Sequence, residues 1–196
     1  MPNFRPLNRR QVKFRLILFD GQFLNCRITR SSFFLKKYQS LYVAASRQHV
    51  GKTTSTLGLA YCLMRRGIDL GFCKPVGQSY VDISDLRVDK DTLLFSDLLG
   101  FDVQPHLHSP VILGSGATTD FLDNPQTYPY RSFIEKARDR LEFNKELVLY
   151  EGTGHPGVGS VVELSNAEVA HLTNSKVIFV AEGGIGSTID MVNMNL

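Results

Sequence analysis

At 196 residues the chain can bury one good hydrophobic core, or one domain plus an arm. An apolar content of 43% is that of an ordinary globular domain, and no apolar run is long enough to cross a bilayer. The formal charge of +3 is unevenly spread: residues 1–40 hold nine basic side chains against one acid, Asp20, a local +8, and the remainder stands at −5.

The basic character therefore belongs to an arm, residues 1–39, and not to the domain of residues 40–196. The arm has three readings. It is a transit peptide, or a hairpin in which residues 14–19 and 22–28 flank the turn signal Asp20-Gly21, or translated sequence upstream of the true start. Transit peptide or spurious extension is favoured over a functional domain. The expected location is the cytoplasm, or an organelle matrix if the arm is a transit peptide. Nucleic-acid binding has poor support, because basic termini are common. Cys26, Cys62 and Cys73 show no metal-ligand spacing and read as plain thiols, with Cys62 and Cys73 as small core residues.

Leu41 to Ala45 predicts a buried strand. A loop follows, then Gly51-Lys52-Thr53-Thr54, then a helical pattern of Leu57, Leu59, Ala60, Leu63 and Met64. Strand, loop, Gly-Lys-Thr and helix is the layout of a phosphate-binding loop. Amides at a helix N-terminus point at an anion, and the helix dipole favours negative charge there. Residues His49, Val50, Gly51, Lys52, Thr53 and Thr54 are the candidate nucleotide cradle. Lys52 reaches for β- and γ-phosphate oxygens, and the Thr53 hydroxyl is a candidate Mg²⁺ ligand. The full pattern has glycine at position 46, where this chain has Ser46.

Further along, Ile68 to Lys74 predicts a strand stopped by Pro75. Residues 76–86 read as loop. Asp89 to Leu99 has helical spacing with Gly100 as C-cap. Residues 101–130 read as an irregular, lid-like excursion. Tyr130 to Phe143 is an amphipathic helix, residues 146–150 a buried strand ending at Glu151, and Asn166 to Leu172 a short helix. Lys176 to Ala181 is a strand leading through Gly183-Gly184-Ile185-Gly186 to a last helix near Ser187. Strands alternating with helices predict an α/β fold of the P-loop NTPase kind, with a mostly parallel sheet and helices on both faces. Ligands in such sheets sit beyond the strands' carboxyl ends, which selects the 46–53 loop, Lys74, Glu151 and the 183–186 glycines as one crevice. His155, in a second glycine-rich segment (151–160), is a possible base or contact, but more often such a histidine is an exposed turn residue.

With those positions in place, residues 40–196 resemble dethiobiotin synthetase and its relatives, the cobyrinic acid a,c-diamide synthases and the N-terminal domain of some phosphotransacetylases. The resemblance rests on five segments in the family's order: residues 42–54, 71–76 (Gly-Phe-Cys-Lys-Pro-Val), 89–94 (Asp-Lys-Asp-Thr-Leu-Leu), 147–154 (Leu-Val-Leu-Tyr-Glu-Gly-Thr-Gly) and 177–184. It implies that Lys52 binds nucleotide phosphates, that Thr53, Asp91 and Glu151 hold Mg²⁺, and that Lys74 contacts a carbamate and the transferred phosphoryl group. Asp89 competes with Asp91 for the metal role. The implied cofactors are ATP and Mg²⁺, and the implied activity is ATP-dependent C–N ligation. It further implies more strands after Leu196, whose loops recognise the base, and a sheet edge left unpaired in the chain as given.

The chain departs from the family before Gly-Lys-Thr, where an acidic pair is replaced by Arg47 and His49, and after Lys-Pro-Val, where the serine is displaced to Ser79. Three functions are expected in descending order: a ligase-type domain activating a carboxylate or carbamate, a nucleotide-sensing module without turnover, and a dimerising partition-type ATPase using Arg47. The expected partners are a small-molecule carboxylate or amine and a second copy of the chain, without membrane or nucleic acid.

Overall fold

Strands that read as continuous apolar runs are those covered on both faces, and four such runs pair side by side here. The computed structural model describes residues 16–17, 23–24, 39–83 and 86–194. In chain order the elements are β1 (Leu16–Ile17), β2 (Phe23–Leu24), β3 (Ser40–Ala45), α1 (Lys52–Met64), β4 (Leu70–Cys73), β5 (Val76–Gly77), β6 (Tyr80–Ile83) and β7 (Leu86–Asp89). They continue with α2 (Lys90–Leu99), α3 (Pro105–His108), β8 (Val111–Ile112), α4 (Ala117–Asp123), α5 (Tyr130–Asn144), β9 (Leu147–Glu151), α6 (Asn166–Leu172), β10 (Lys176–Val180) and α7 (Ser187–Met194).

The central sheet has the order β10-β3-β9-β4 and is parallel throughout. Strand alternation sends successive side chains to opposite faces. Tyr42, Ala44, Val148 and Tyr150 pack with Ile134 and Leu141 of α5 and with Val169 and Leu172 of α6. Leu70, Phe72, Leu147 and Leu149 pack on the other face with Ala60 of α1 and Phe95 of α2. The fold is thus the expected α/β arrangement with helices on both faces. Among the described residues β10 bounds the sheet, and its five residues are only part-buried.

Three expectations are corrected. Residues 76–86 are not simply loop: β5 pairs with β8, and β6 pairs antiparallel with β7, Val81 opposite Val88. Val81, Ile83 and Val88 favour a strand, and Arg87 lies over the Tyr80 ring at 4.7 Å while approaching Asp82 at 3.5 Å. Residues 101–130 are less irregular than expected. They form α3, β8 and α4, and the β5–β8 pairing ties Val111 to Val76 beside the end of β4. Cys62 is exposed on α1, whereas Cys73 is buried as expected. In the arm, Leu16 pairs with Leu24 and Ile17 with Phe23, antiparallel, as a hairpin requires. The rest of the arm, including the Asp20-Gly21 turn, lies outside the described residues.

Candidate nucleotide and metal site

β3 ends at Ala45 and the chain turns back into α1 through residues 46–51. Two residues of this loop take left-handed backbone conformations, His49 (φ 61°) and Gly51 (φ 90°). Ser46 does not, which explains why glycine is dispensable there. Ser46 is buried, and its amide donates to Val180 O at 2.9 Å, anchoring the loop's start to β10. Gly51 caps α1 without any side-chain acceptor for the helix's first amides. An anion fits that end of the helix. Arg47, His49 and Thr54 are exposed, and Val50, Lys52 and Thr53 are part-buried.

The neighbouring strand β9 runs parallel to β3 with Val43 opposite Glu151, so Glu151 ends level with the loop. Glu151 is 0% exposed, which excludes the solvent-facing role common for a strand-end acid. Its Oε1 accepts from Thr53 Oγ1 at 2.9 Å and from Lys52 Nζ at 3.3 Å, and lies 3.6 Å from Lys74 Nζ. Its Oε2 is buried without a hydrogen-bond partner.

Lys74 follows β4 and is 6% exposed, far from a surface lysine. Its backbone amide donates to His108 O at 2.9 Å, so α3 holds it in place. Its ammonium contacts Asp91 Oδ2 and lies 3.3 Å from Asp89 Oδ1. Burial pulls the ammonium's pKa down, but Asp89, Glu151 and Asp91 outweigh burial and hold it above the usual lysine value. Asp89 caps α2, its Oδ1 accepting from Asp91 N at 2.9 Å. Burial raises the Asp89 carboxyl, partly offset by the Lys74 charge. Behind it, a Cβ added to Gly77 would lie 2.6 Å from Asp89 Oδ2. Ser109 and Thr92 complete the support: Ser109 Oγ accepts from Asp89 N at 3.2 Å and lies 2.7 Å from Thr92 Oγ1.

Lys52, Thr53, Lys74, Asp91 and Glu151, spread over four segments of chain, therefore meet at the carboxyl edge of the sheet, with Asp89 among them. The donor set suits a hard cation: a hydroxyl and two carboxylates, one of which keeps an unpartnered buried oxygen, with room left to phosphate and water. No three His, Cys, Asp or Glu side chains converge into a closed cage among the described residues. The acids instead surround the Lys74 ammonium.

The glycine turn at 183–186 is exposed and joins the site only through its preceding residue: Arg47 Nε donates to Glu182 Oε1 at 3.0 Å. His155 is exposed, and its Nδ1 accepts from Gly157 N at 3.2 Å, the turn role. Sequence reasoning missed Asn166. Its Oδ1 accepts from Tyr42 Oη (2.7 Å) and Thr153 N (3.0 Å), and its Nδ2 donates to Thr153 O and His155 O. The side chain braces the glycine loop that follows Glu151. No sequence signal marks it, because an asparagine in a first helical turn is common for capping reasons alone.

The family model described as AAA domain matches residues 39–196. The chain is 19% identical over 156 residues to the ATP-dependent dethiobiotin synthetase BioD of Clostridium novyi (strain NT), covering 75% of this chain and 64% of that protein. It thus spans under two thirds of that relative's length. Solved structures with a similar chain path include the kinase domain of Escherichia coli tyrosine kinase ETK (12% identity, TM-score 0.47, 81% of this chain and 61% of that one). Another is the chimerical protein CapA2B2 (14% identity, TM-score 0.49, 81% and 68%). With the loop, the sheet and the family match in agreement, the chain belongs to the AAA domain family as a dethiobiotin synthetase-like P-loop NTPase.

Proposed function

We propose that this domain binds Mg-ATP and activates a small carboxylate or carbamate by phosphorylation, so that an amine can then form a C–N bond. The observation that carries the reading is Lys74, a buried lysine at the strand ends, one carboxylate away from the phosphate-loop Lys52 and Thr53. A nucleotide-binding loop alone does not need it.

Lys52 and the α1 amides would hold the polyphosphate. Thr53, Asp91 and Glu151 would hold Mg²⁺, which when bound neutralises phosphate charge. Lys74 would face the acid substrate and offset the negative charge as the γ-phosphoryl passes from ATP to the carboxylate oxygen and ADP leaves. The amine then attacks the acyl carbon, phosphate leaves, and the amine's proton goes to water or buffer. His49, Val50, Gly51 and Thr54 serve as backbone of the cradle. The test is ADP release by the full-length protein with candidate acids and amines. Release that requires both an acid and an amine is expected, and is lost in Lys74→Ala. Tight Mg-ATP binding without any substrate-dependent release overturns the ligase reading in favour of nucleotide sensing.

A further inference from the structure

We propose that Lys74 is a tethered counter-ion: its ammonium occupies the carboxylates in the metal-free protein and is released toward an anionic substrate when a divalent cation takes its place. The inference rests on the metal role proposed above for Thr53, Asp91 and Glu151.

Three carboxylates, Asp89, Asp91 and Glu151, face only two ammonium groups, Lys52 and Lys74. One formal negative charge is left over in a buried setting, and two carboxylate oxygens, Glu151 Oε2 and Asp89 Oδ2, have no hydrogen-bond partner. Burying charge without compensation is costly, so the cluster favours any cation it can admit. Lys74 is the cation it already contains, and it lies against the same Asp91 and Glu151 that a divalent ion would use. Two cations on the same pair of carboxylates repel at close range, so a divalent ion there pushes the ammonium away.

The three acids are not equivalent. Asp89 is held by its capping bond from Asp91 N and packs against Gly77, so it stays with Lys74 as a fixed anchor. Asp91 is the most accessible, its side chain 30% exposed, and Glu151 keeps a free oxygen. A cation entering from the solvent side takes Asp91 and Glu151, and the ammonium keeps Asp89 while turning its remaining N–H groups to the crevice. Metal binding and anion binding are then positively coupled. An acid substrate is attracted only once the metal is in place.

The test is Mn²⁺ uptake by the protein without nucleotide, followed by electron paramagnetic resonance of free Mn²⁺. Lys74→Met should bind Mn²⁺ at least tenfold tighter than wild type, and Lys74→Arg should stay near wild type. A folded Lys74→Met that binds no tighter overturns the proposal, provided wild type takes up Mn²⁺ with ATP. If wild type takes up none even with ATP, the metal role of Thr53, Asp91 and Glu151 falls and this inference with it. Should Lys74→Met fail to fold, amine acetylation of wild type decides. Labelling of Lys74, read by peptide mass spectrometry, should rise several-fold on adding Mn²⁺, and unchanged labelling overturns the proposal.

Discussion

Thr53 Oγ1 donates to Glu151 Oε1 at 2.9 Å across 98 residues of chain. The bond joins the first turn of α1 to the end of β9, and it exists because β3 and β9 are neighbours in the sheet. It places the phosphate-loop hydroxyl and a fully buried acid of the site on the same point.

Glu151 is the strongest single test of that arrangement. Glu151→Gln keeps an acceptor for Thr53 and should fold, but Mg²⁺ should no longer tighten ATP binding, a loss of at least tenfold by calorimetry with and without the metal. Glu151→Ala strands Lys52 and Lys74 near one another and should cost about 3 kcal/mol in urea unfolding. If Glu151→Gln responds to Mg²⁺ as wild type does, Glu151 is no metal ligand.

Gly152 is a packing requirement. A Cβ there would lie 2.2 Å from Asn166 Oδ1 and 3.0 Å from the Tyr42 ring. Gly152→Ala should destabilise the domain by about 2 kcal/mol through overpacking. Pairing it with Asn166→Ala should recover part of that loss, so a double-mutant cycle showing strict additivity would argue against the clash.

His108 makes stability depend on pH. Burial, with the nearby charges of His106 and Lys145, lowers its pKa to about 4, and its Nδ1 accepts from Gln104 N at 3.0 Å. The folded state keeps the ring neutral at pH values where the unfolded chain protonates it, so the unfolded state binds more protons. This contribution is fully present above pH 6.5, the unfolded value, and is lost as pH falls toward 4. The slope should reach about 1.4 kcal/mol per pH unit between those limits. His108→Gln should flatten this part of the profile in denaturant titrations at several pH values; an unchanged difference between pH 7 and 5 would contradict the assignment.

Phe95 stacks on Phe72 with ring centroids 3.7 Å apart and planes within 5°. The pair fastens α2, which carries Asp91, to β4, which leads to Lys74. Phe95→Ala should cost about 3–4 kcal/mol in urea unfolding. It should also weaken Mg²⁺-dependent nucleotide binding more than nucleotide binding without metal, because Asp91 moves with α2 while Lys52 does not.

The long elements were legible because period and punctuation agree. Asn166 to Leu172 and the α2 helix with its Gly100 cap stand where spacing puts them, since capping residues and apolar repeats act within a few residues. The β6–β7 pair escaped because its strands are four residues long and half-exposed, so little apolar pattern survives in them. Cys62 went the other way: a small apolar residue on a helix looks like core, and only the packing of α1 turns it outward.

By itself the chain of residues determined a phosphate loop between a buried strand and a helix, a parallel α/β architecture, and the handful of charged side chains at strand ends. Those are local matters of backbone geometry and hydrophobic period. Only the tertiary structure decided that Glu151 and Lys74 are buried rather than solvated, that Asp89 joins them, and that Asn166 braces the adjoining loop. The physical reason is strand order. Which strand lies beside which is set by long-range packing of both sheet faces, and it is that order, β3 between β10 and β9, that brings distant charges within a few ångströms.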